Sequence, residues 1–413
     1  MGPLWKALPE GWRMGQIKNI ATVTLGKMLQ SKDSGSDSRA PYMRAANVQP
    51  DGVLALDDVN EMWFRAGELE QLSIRAGDVV VVEGGQGGFG RAAYVDQDLS
   101  GWGFQNSINR LRPRGECDGR FLAFYLIALR ASGFIRAYAN VVSMPHLTAE
   151  KLARVPIPLP PMDQQRDIAD YLDRETARID TLVEEQQRLI KLLKERRGAV
   201  VSAAIGTGWS ETRLGHVLRG IKDGTHGSFE RLPSGEGRPL LGARNVMNGA
   251  VVIDGQESFI SDSDAASIVA NGYPLRGDVL LVIVGATIGK TAVYELDESH
   301  AFQRSVAFLR PSDVVNSRFL WHQVQSRRFQ DELALRAKTS AQPGIYMGDV
   351  VAIPVYVPPI EHQRRIAVDL DHQTVKIDTL IAEAERFIEL SKERRSALVT
   401  AAVTGQIDVR EAA

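Results

Sequence analysis

Residues 160–197, PPMDQQRDIADYLDRETARIDTLVEEQQRLIKLLKERR, recur 198 positions later as residues 358–395, PPIEHQRRIAVDLDHQTVKIDTLIAEAERFIELSKERR. The same spacing aligns shorter matches in the regions before each stretch, such as Phe104–Pro113 with Phe302–Pro311. A period near 200 residues is far too long for a solenoid, whose units span about 20–45 residues. The sequence therefore predicts one module present in two copies.

Each repeated stretch predicts one long helix. Its apolar residues recur at alternating steps of four and three, the heptad pattern of a coiled coil. A proline pair precedes each stretch, and proline fits the first turn of a helix but not its interior. The residues that we assign to helix pairing are Ile168, Leu172, Ile179, Leu182, Leu189 and Leu193 in the first copy, and Ile366, Leu370, Ile377, Leu380 and Phe387 in the second.

Two matching apolar stripes in one chain can bury each other. We expect them to pair antiparallel, because the short linker at 203–208 leads straight into the second module and leaves no room for a parallel return. The two copies are then related by a pseudo-two-fold axis, with the globular domains at opposite ends of the paired helices. In the alternative arrangement, each helix packs separately on its own globular domain.

The regions before the helices predict an α+β fold. Short β-branched runs such as Val79–Val82 alternate with glycine-rich turns, and one or two helices are expected near Phe121–Leu129 and Phe319–Ser326. The predicted organisation is a first globular domain at 1–159, a first spacer helix at 160–208, a second globular domain at 209–357, a second spacer helix at 358–405 and a tail at 406–413.

Composition restricts the class of protein. The 413 residues are 44% hydrophobic and 24% charged, with no apolar run near the roughly 18 residues of a membrane helix. Cys117 is the only cysteine, which excludes a disulfide framework and a cysteine-based zinc site. No signal-peptide pattern opens the chain, so we expect a cytoplasmic protein without membrane contact.

The charge balance is close to neutral. The net charge is −2, residues 1–155 carry 18 basic and 16 acidic side chains, and residues 209–356 carry 15 and 16. A self-sufficient nucleic-acid binder usually shows a basic patch or stripe. If the chain binds DNA, the positive charge is local or partner subunits supply part of the grip on the phosphates.

The arrangement resembles the specificity subunit of type I restriction–modification systems over essentially the whole chain. The resemblance is carried by the I-P-x-P-P-x-x-x-Q-R segment at 157–166, repeated more loosely at 353–364, and by the I-D-T-L and K-E-R-R segments of both helices. It implies two target recognition domains, each reading one half of a gapped DNA site. It also implies partners, namely double-stranded DNA, two methyltransferase subunits docked on the helices and restriction/translocase subunits. S-adenosylmethionine, ATP and magnesium are expected on those partners and no cofactor on this chain.

Candidate base-reading residues are Arg, Lys, Asn and Gln side chains in glycine-flanked loops, because these side chains pair with guanine and adenine in the major groove. They are Arg44, Asn47, Gln86, Arg91, Gln105 and Asn106 in the first domain, and Arg244, Asn245, Lys290, Gln303 and Arg304 in the second. Asn106 and Arg304 occupy one repeat position with different residues, as expected of readers of different half-sites. The alternative is that the amides hold the fold and the cations are solvated surface.

Two glycine motifs resemble nucleotide sites. Gly85–Gly90 matches G-x-G-x-x-G, but a strand rather than a helix is expected after it. Val284–Thr291 resembles a phosphate-binding loop but has one residue too few between its glycines. Neither motif survives in the other copy, and no methyltransferase, protease or hydrolase motif occurs. We therefore expect a chain that does no chemistry itself, with a catalytic DNA methyltransferase or nuclease and a protein-binding scaffold as the competing hypotheses.

Overall fold

The computed structural model describes residues 4, 8–85, 88–139, 146–206, 208–247, 249–337 and 343–410. The chain forms two compact units, Met1–Gln186 with Arg386–Ala413, and Gln187–Glu385. Each unit therefore contains one globular domain and parts of both long helices, whereas the predicted domain bounds keep each helix in one piece. Among the described residues, no helix combines the length and apolar character needed to cross a bilayer.

The first unit contains nine strands, five short helices and the start of a long one among its described residues. The strands are β1 Arg13–Gln16, β2 Ala21–Leu25, β3 Ser38–Met43, β4 Asn60–Phe64, β5 Val79–Val82, β6 Ala92–Tyr94, β7 Gly103–Phe104, β8 Ile108–Pro113 and β9 Pro156–Leu159. The helices are α1 Ile17–Ile20, α2 Glu68–Gln71, α3 Gly119–Ala131, α4 Phe134–Tyr138, α5 Ala149–Ala153 and the long α6 Met162–Ile205, which continues into the second unit.

The second unit repeats this order. Its strands are β10 Glu211–Arg213, β11 Leu218–Asp223, β12 Arg238–Leu241, β13 Val246–Met247, β14 Ala250–Val251, β15 Ser258–Ile260, β16 Val279–Val282, β17 Thr291–Val293, β18 Ala301–Phe302, β19 Val306–Pro311 and β20 Pro354–Tyr356. Its helices are α7 Asp262–Ala270, α8 Ser317–Gln325, α9 Arg327–Arg336, α10 Met347–Val351 and the long α11 Ile360–Val403, whose end belongs to the first unit.

Each globular domain is built in layers around a four-stranded antiparallel sheet, in the order β2-β8-β5-β6 or β11-β19-β16-β17. Alternate residues of the central strand point to opposite faces. In β5, Val79 and Val81 pack on the helical layer with α3, while Val80 and Val82 pack against the second, three-stranded sheet β4-β3-β7. The predicted α+β fold is confirmed.

The first strand of each domain pairs with the last. β1 is antiparallel to β9, and β10 is antiparallel to β20. The proline-rich strand therefore closes the domain before the long helix starts. This arrangement brings the start of the domain next to the point where the long helix leaves it.

The long helices pair antiparallel within each unit. In the first unit, Ile168 and Leu172 of α6 share a core with Val399 and Val403 of α11, and further along, Asp180 Oδ1 accepts a hydrogen bond from Arg395 Nε at 3.0 Å. In the second unit, Arg197 Nε donates to Asp378 Oδ1 at 2.8 Å, and the helix ends that follow share a second core. Asp180 with Arg395 and Asp378 with Arg197 are the same pair, 198 positions apart.

The helix-pairing stripe differs from the predicted one. Ile168, Leu172, Ile179, Leu193, Leu370 and Ile377 are buried and Ile366 is partly buried, but Leu182, Leu189, Leu380 and Phe387 are 41–49% exposed. The assignment of those four residues to helix pairing is therefore corrected. The buried stripe passes one residue later, through Thr176 and Val183 in α6 and through Thr374 in α11.

Two positions of the buried stripe are occupied by threonine rather than by an apolar residue. The Thr176 hydroxyl donates to the carbonyl of Leu172, and the Thr374 hydroxyl donates to that of Leu370, each at 2.7 Å. A hydroxyl that is hydrogen-bonded to its own helix can be buried at little cost. Hydropathy does not mark these two positions as buried, and at 182–183 and 380–381 both neighbouring residues are apolar, so the sequence pattern could not choose between them.

Candidate nucleic-acid interface

Five backbone segments of the first domain meet at one end of its central sheet. We call this surface the first loop edge and define it by residues 26–28, 44–47, 83–85, 105–107 and 146–147. Lys27 N donates to Phe104 O at 3.0 Å, Asn106 N to Lys27 O at 2.8 Å, and Gln105 N to Met43 O at 2.9 Å. Further bonds join the remaining segments: Ala45 N donates to Ser107 Oγ, Glu83 N to Ser107 O, and Leu147 N to Glu83 O.

The second domain has a matching second loop edge, formed by residues 224–226, 242–245, 283–285, 303–305 and 343–345. Each of the six bonds has its counterpart there. Thr225 N donates to Phe302 O, Arg304 N to Thr225 O, Gln303 N to Leu241 O, Ala243 N to Ser305 Oγ, Ile283 N to Ser305 O, and Ile345 N to Ile283 O. The repeat therefore preserves the backbone framework of the loops as well as the sheets.

A glycine makes the closest approach at both edges. A Cβ atom at Gly26 would lie 2.2 Å from the carbonyl oxygen of Gln105, and one at Gly224 would lie 2.2 Å from that of Phe302. These distances are far below van der Waals contact, so only glycine fits at either position. The tight packing fixes the turn that carries Asn106 or Arg304.

The loop edge lies at the opposite end of β8 from the long helix. β8 begins at Ile108, next to the edge, and the chain after Pro113 returns to the start of α6. There, Asp118 N donates to Gln165 Oε1 at 3.0 Å. The loops of the edge are therefore separated from the helix attachment by the length of a six-residue strand, roughly 20 Å, which leaves them free to meet a large ligand.

Asn47 and Asn245 are corrected as candidate base readers, because both are buried and fully hydrogen-bonded. Asn47 accepts from Arg44 N at 2.9 Å and donates to the carbonyls of Ala55 and Asp58. Asn245 accepts from Gly242 N at 3.0 Å and donates to Val252 O and Glu257 Oε1. These amides hold the loop edge together, which is why the repeat keeps them.

Arg44 and Arg244 lie on the edges with their charges paired within the domain. Arg44 forms an ion pair with Asp58, and its side chain is about a quarter exposed. Arg244 is exposed and lies 3.1 Å from Asp254. A nucleic acid must compete with these carboxylates, so both guanidinium groups stay predicted contacts whose charge is already partly neutralised.

The turn at 105–106 and its counterpart at 303–304 present the polar side chains best placed for an external ligand. Gln105 and Gln303 are half-buried, and Ser107 Oγ lies 3.4 Å from Gln105 Oε1. Arg304 is exposed and its side chain makes no hydrogen bond or ion pair with the described part of the chain. Asn106 stands at the same repeat position and is half-buried. These four side chains stay predictions as base contacts.

The hairpin between the third and fourth sheet strands carries the remaining candidates. Lys290 is exposed on the β16–β17 hairpin. Arg91 is half-buried and donates to Val48 O at 3.4 Å, so it points toward the body of its own domain. Gln86 lies outside the described residues.

Both glycine motifs lie on these hairpins. Strand β6 follows Gly85–Gly90, where a dinucleotide fold requires a helix, and β17 follows the second motif. Gly85 and Gly285 have φ of +105° and +101°, and Gly90 and Gly289 have φ of +71° and +92°. The glycines therefore serve a turn with a left-handed backbone in both copies, and the nucleotide interpretation is excluded by the fold.

Sequence reasoning missed two glutamines that attach each domain to its helix. Gln165 is buried, and it accepts from Asp118 N and donates to the carbonyls of Glu116 and Pro160 at 3.1 and 2.9 Å. Gln363 accepts from Asn316 N and donates to Val314 O and Pro358 O at 2.9 and 2.7 Å. Their identity at the 198-residue spacing was the available signal, because a glutamine that starts an exposed helix has no other reason to recur.

Two similar segments, Arg75–Asp78 and Arg276–Asp278, have the same structural role in the two domains. Asp78 binds Arg112 with two hydrogen bonds of 2.7 Å and accepts from Arg75 N at 2.8 Å. Asp278 binds Arg310 at 2.9 Å and accepts from Leu275 N. The aspartate closes the turn before the central strand and ties it to the neighbouring strand, so these segments belong to the framework.

Comparison with known proteins agrees with this architecture. Residues 9–192 match the family described as the type I restriction modification DNA specificity domain. The chain is 22% identical to the type I restriction enzyme StySPI specificity subunit of Salmonella potsdam and 22% identical to the EcoKI specificity subunit of Escherichia coli, each over 97% of this chain and 90% of the relative. A specificity subunit of Methanocaldococcus jannaschii, MjaVIII, is 23% identical over 74% of both chains.

The fold is shared with a solved structure as well. A chain from a structure of the complex assembly and conformational transition of the type I R-M system superposes with a TM-score of 0.72, at 19% identity, over 97% of this chain and 100% of that one. The family match covers the first module, and the 198-residue repeat extends its loop-edge framework and helix start to the second. Residues 9–192 are therefore similar to the type I restriction modification DNA specificity domain, and the second module repeats the framework of the first.

Proposed function

We propose that this chain gives a type I restriction–modification complex its DNA sequence specificity, with each loop edge reading one half of a gapped bipartite target. The observation that carries the proposal is the pair of loop edges. Six equivalent hydrogen bonds, five between backbone groups and one to a serine hydroxyl, build the same framework twice, while a position on it differs between Asn106 and Arg304. A common scaffold with different side chains suits two readers of unequal half-sites.

The partners that the proposal requires are methyltransferase and restriction/translocase subunits. Exposed apolar residues recur at three equivalent positions of the two long helices, Leu182, Leu189 and Leu192 in α6 and Leu380, Phe387 and Leu390 in α11. Exposed apolar positions that repeat in this way favour protein docking. Two equivalent sets suit two copies of one partner, which we assign to the methyltransferase.

Catalysis and most of the contacts with the DNA phosphates then belong to those partners. The chain is close to neutral, with a net charge of −2, and phosphate neutralisation by Lys and Arg dominates affinity for DNA. A subunit that reads bases while its partners wrap the duplex needs little positive charge of its own. The resemblance to specificity subunits assigns S-adenosylmethionine, ATP and magnesium to those partners.

The test is to co-express the chain with its methyltransferase and to sequence the methylated genome of the host. We expect adenine methylation at one bipartite motif with a fixed gap. Replacing residues 209–356 with those of a relative should change one half of the motif and leave the gap and the other half unchanged. A continuous motif, or a swap that alters both halves, would contradict the two-reader arrangement.

The same experiment separates the competing hypotheses. A catalytic methyltransferase would methylate DNA when this chain is expressed without a partner. A protein-binding scaffold would leave the methylated motif unchanged after the domain swap. Only a specificity subunit requires the partner for methylation and also determines its sequence.

A further inference from the structure

The first loop edge carries a carboxylate–imidazole pair that the second lacks. His146 Nδ1 lies 3.0 Å from Glu83 Oε2, and residues 84 and 146 form a backbone bridge. The Glu83 side chain is only 14% exposed, whereas the His146 side chain is 52% exposed. A mostly buried carboxylate thus holds a ring that faces outward.

The chemistry of the pair fixes which ring nitrogen is available. A carboxylate can only accept, so Nδ1 carries the proton that it donates to Glu83. This bond sets the ring orientation and leaves Nε2 as the polar atom for an external group. A histidine held in this way is pre-organised, in the sense that an outer partner fixes both its tautomer and its direction.

A buried asparagine supports the segment that carries the ring. Asn109 is fully buried, and its Nδ2 donates to the carbonyl of Leu147, the residue after His146, at 2.9 Å. Leu147 N in turn donates to Glu83 O at 2.8 Å. Segments 83–84 and 146–147 are therefore held together by the backbone, by the pair itself and by an amide from the central sheet.

The second loop edge has the same backbone without this chemistry. Ile283 N donates to Ser305 O as Glu83 N does to Ser107 O, and residues 284 and 344 form the same bridge. On that framework Ile283 replaces Glu83, Gly344 replaces His146, and Ala307 replaces Asn109. All three polar groups of the first edge are absent together in the second.

We infer that Glu83 and His146 form a base-reading element for the first half-site, with His146 as the contact and Glu83 as its positioning residue; this rests on the proposed function. Phosphate contacts serve both half-sites alike and carry no sequence information. Base contacts must differ between the halves. A charged and polar cluster that one copy keeps complete and the other replaces with apolar residues fits the second requirement.

The variants come from the chain itself. His146→Gly and Glu83→Ile install the residues that the second domain carries on the same backbone, so the loop edge should still form. Arg154→Ala is the control, because it removes an exposed cation of the same domain outside the edge, one that forms an ion pair with Glu150 four residues earlier. Each variant is co-expressed with the methyltransferase, and the methylated motif is determined.

We expect His146→Gly to relax one position of the first half-motif, with discrimination there falling by about five- to hundred-fold, as for loss of one good base contact. The second half-motif and the gap should not change. Glu83→Ile should relax the same position, and the double variant should be no more relaxed than His146→Gly, because the two residues act as one unit. The control should keep the original motif.

Three results would overturn the inference. Methylation that falls evenly over an unchanged motif would make His146 a phosphate contact. An unchanged motif at unchanged extent would exclude any contact with DNA, and relaxation of the second half would exclude the assignment to this edge. If the unmodified chain itself gave no gapped motif, the proposed function would fail, an outcome distinct from all three.

Discussion

His322 shows how one residue can differ in role between the two copies. It is completely buried, and its Nε2 lies 2.8 Å from Asp371 Oδ1, an oxygen that also accepts from Arg318 at 2.8 Å. The first copy has Phe124 at this repeat position. Burial lowers the pKa of His322 to about 4, although the hydrogen bond and charge of Asp371 act in the opposite direction. The ring is therefore neutral in the folded second unit at physiological pH.

This lowered pKa predicts acid sensitivity of the second unit. Between about pH 6.5 and pH 4 the unfolded chain protonates His322 while the folded unit does not, so the free energy of unfolding falls as pH falls through that window. At pH 5 the loss should reach about 2 kcal/mol. His322→Phe, which installs the aromatic residue that the first copy has as Phe124, should remove this loss and leave the Arg318–Asp371 pair in place.

The measurement is the thermal unfolding midpoint of the second unit at pH 7.5 and at pH 5.0. Hydrogen exchange of amides in the second unit monitors the unfolding. His146→Phe is the control, because that ring is half-exposed in the first unit and should not alter the second. Equal acid sensitivity of the original chain and the His322→Phe variant would contradict the assignment.

At the scale of elements, the two copies of the interhelical ion pair are unequal. Arg395 is 9% exposed, bonds Asp180 through two nitrogens and also donates to Asp51 O at 3.2 Å. Its counterpart Arg197 is 21% exposed and has one bond to Asp378. Asp51, with a left-handed backbone at φ +61°, covers Arg395, while Gly249 takes the equivalent position in the second unit. The second unit has glycine at this position because Trp321 packs against it. A Cβ atom at Gly249 would lie 2.3 Å from the Trp321 side chain.

We therefore predict that Arg395→Ala destabilises the helix pair more than Arg197→Ala. Removing a buried, multiply bonded charge should cost about 3 kcal/mol, whereas the more exposed pair should cost about 1 kcal/mol. Hydrogen exchange of α6 and α11 amides measures both effects in the full chain. Arg178→Ala, which removes an exposed guanidinium group from α6, is the control. Equal losses from the two arginine variants would show that the depth of burial does not decide their contribution.

At the scale of the whole molecule, the two ends of the described chain meet in the first unit. Pro9 and Trp12 lie with Gly405, Ile407 and Val409 around a small cavity of about 140 Å³, and a Cβ at Gly405 would come within 2.3 Å of Pro9. Trp12 Nε1 donates to Gln164 Oε1 at the start of α6 at 3.0 Å. The segment after α11 thus completes the first unit, although it lies nearly 400 residues after Pro9 and Trp12 in the sequence.

Truncation after Thr404 should therefore weaken the first unit and spare the second. The loss of Ile407 and the buried Val409 should cost about 2–4 kcal/mol, the range for removing large apolar groups from a core. Limited proteolysis with mass spectrometry distinguishes the units by their fragments. Faster cleavage of the second unit after truncation at 404 would contradict the prediction.

The amino-acid sequence by itself determined the duplication, the α+β class and the two long helices. The duplication is visible as a 198-residue repeat. The strands and helices are visible as β-branched runs, a proline pair and periodic apolar residues, patterns that act over short distances along the chain. The sequence also excluded the nucleotide motifs, because neither glycine pattern survives in the other copy.

Only the tertiary structure decided which polar residues are framework and which face outward. Asn47 and Asn245 lie in loops and are of a residue type that can contact bases. In the folded domains, however, both amides form hydrogen bonds with groups that only the folded loops bring near. The true helix stripe required knowing that Thr176 and Thr374 satisfy their hydroxyls internally. Glu83 and His146 are 63 residues apart and match no motif. Burial and hydrogen bonding between distant segments depend on the whole packing, which local patterns do not encode.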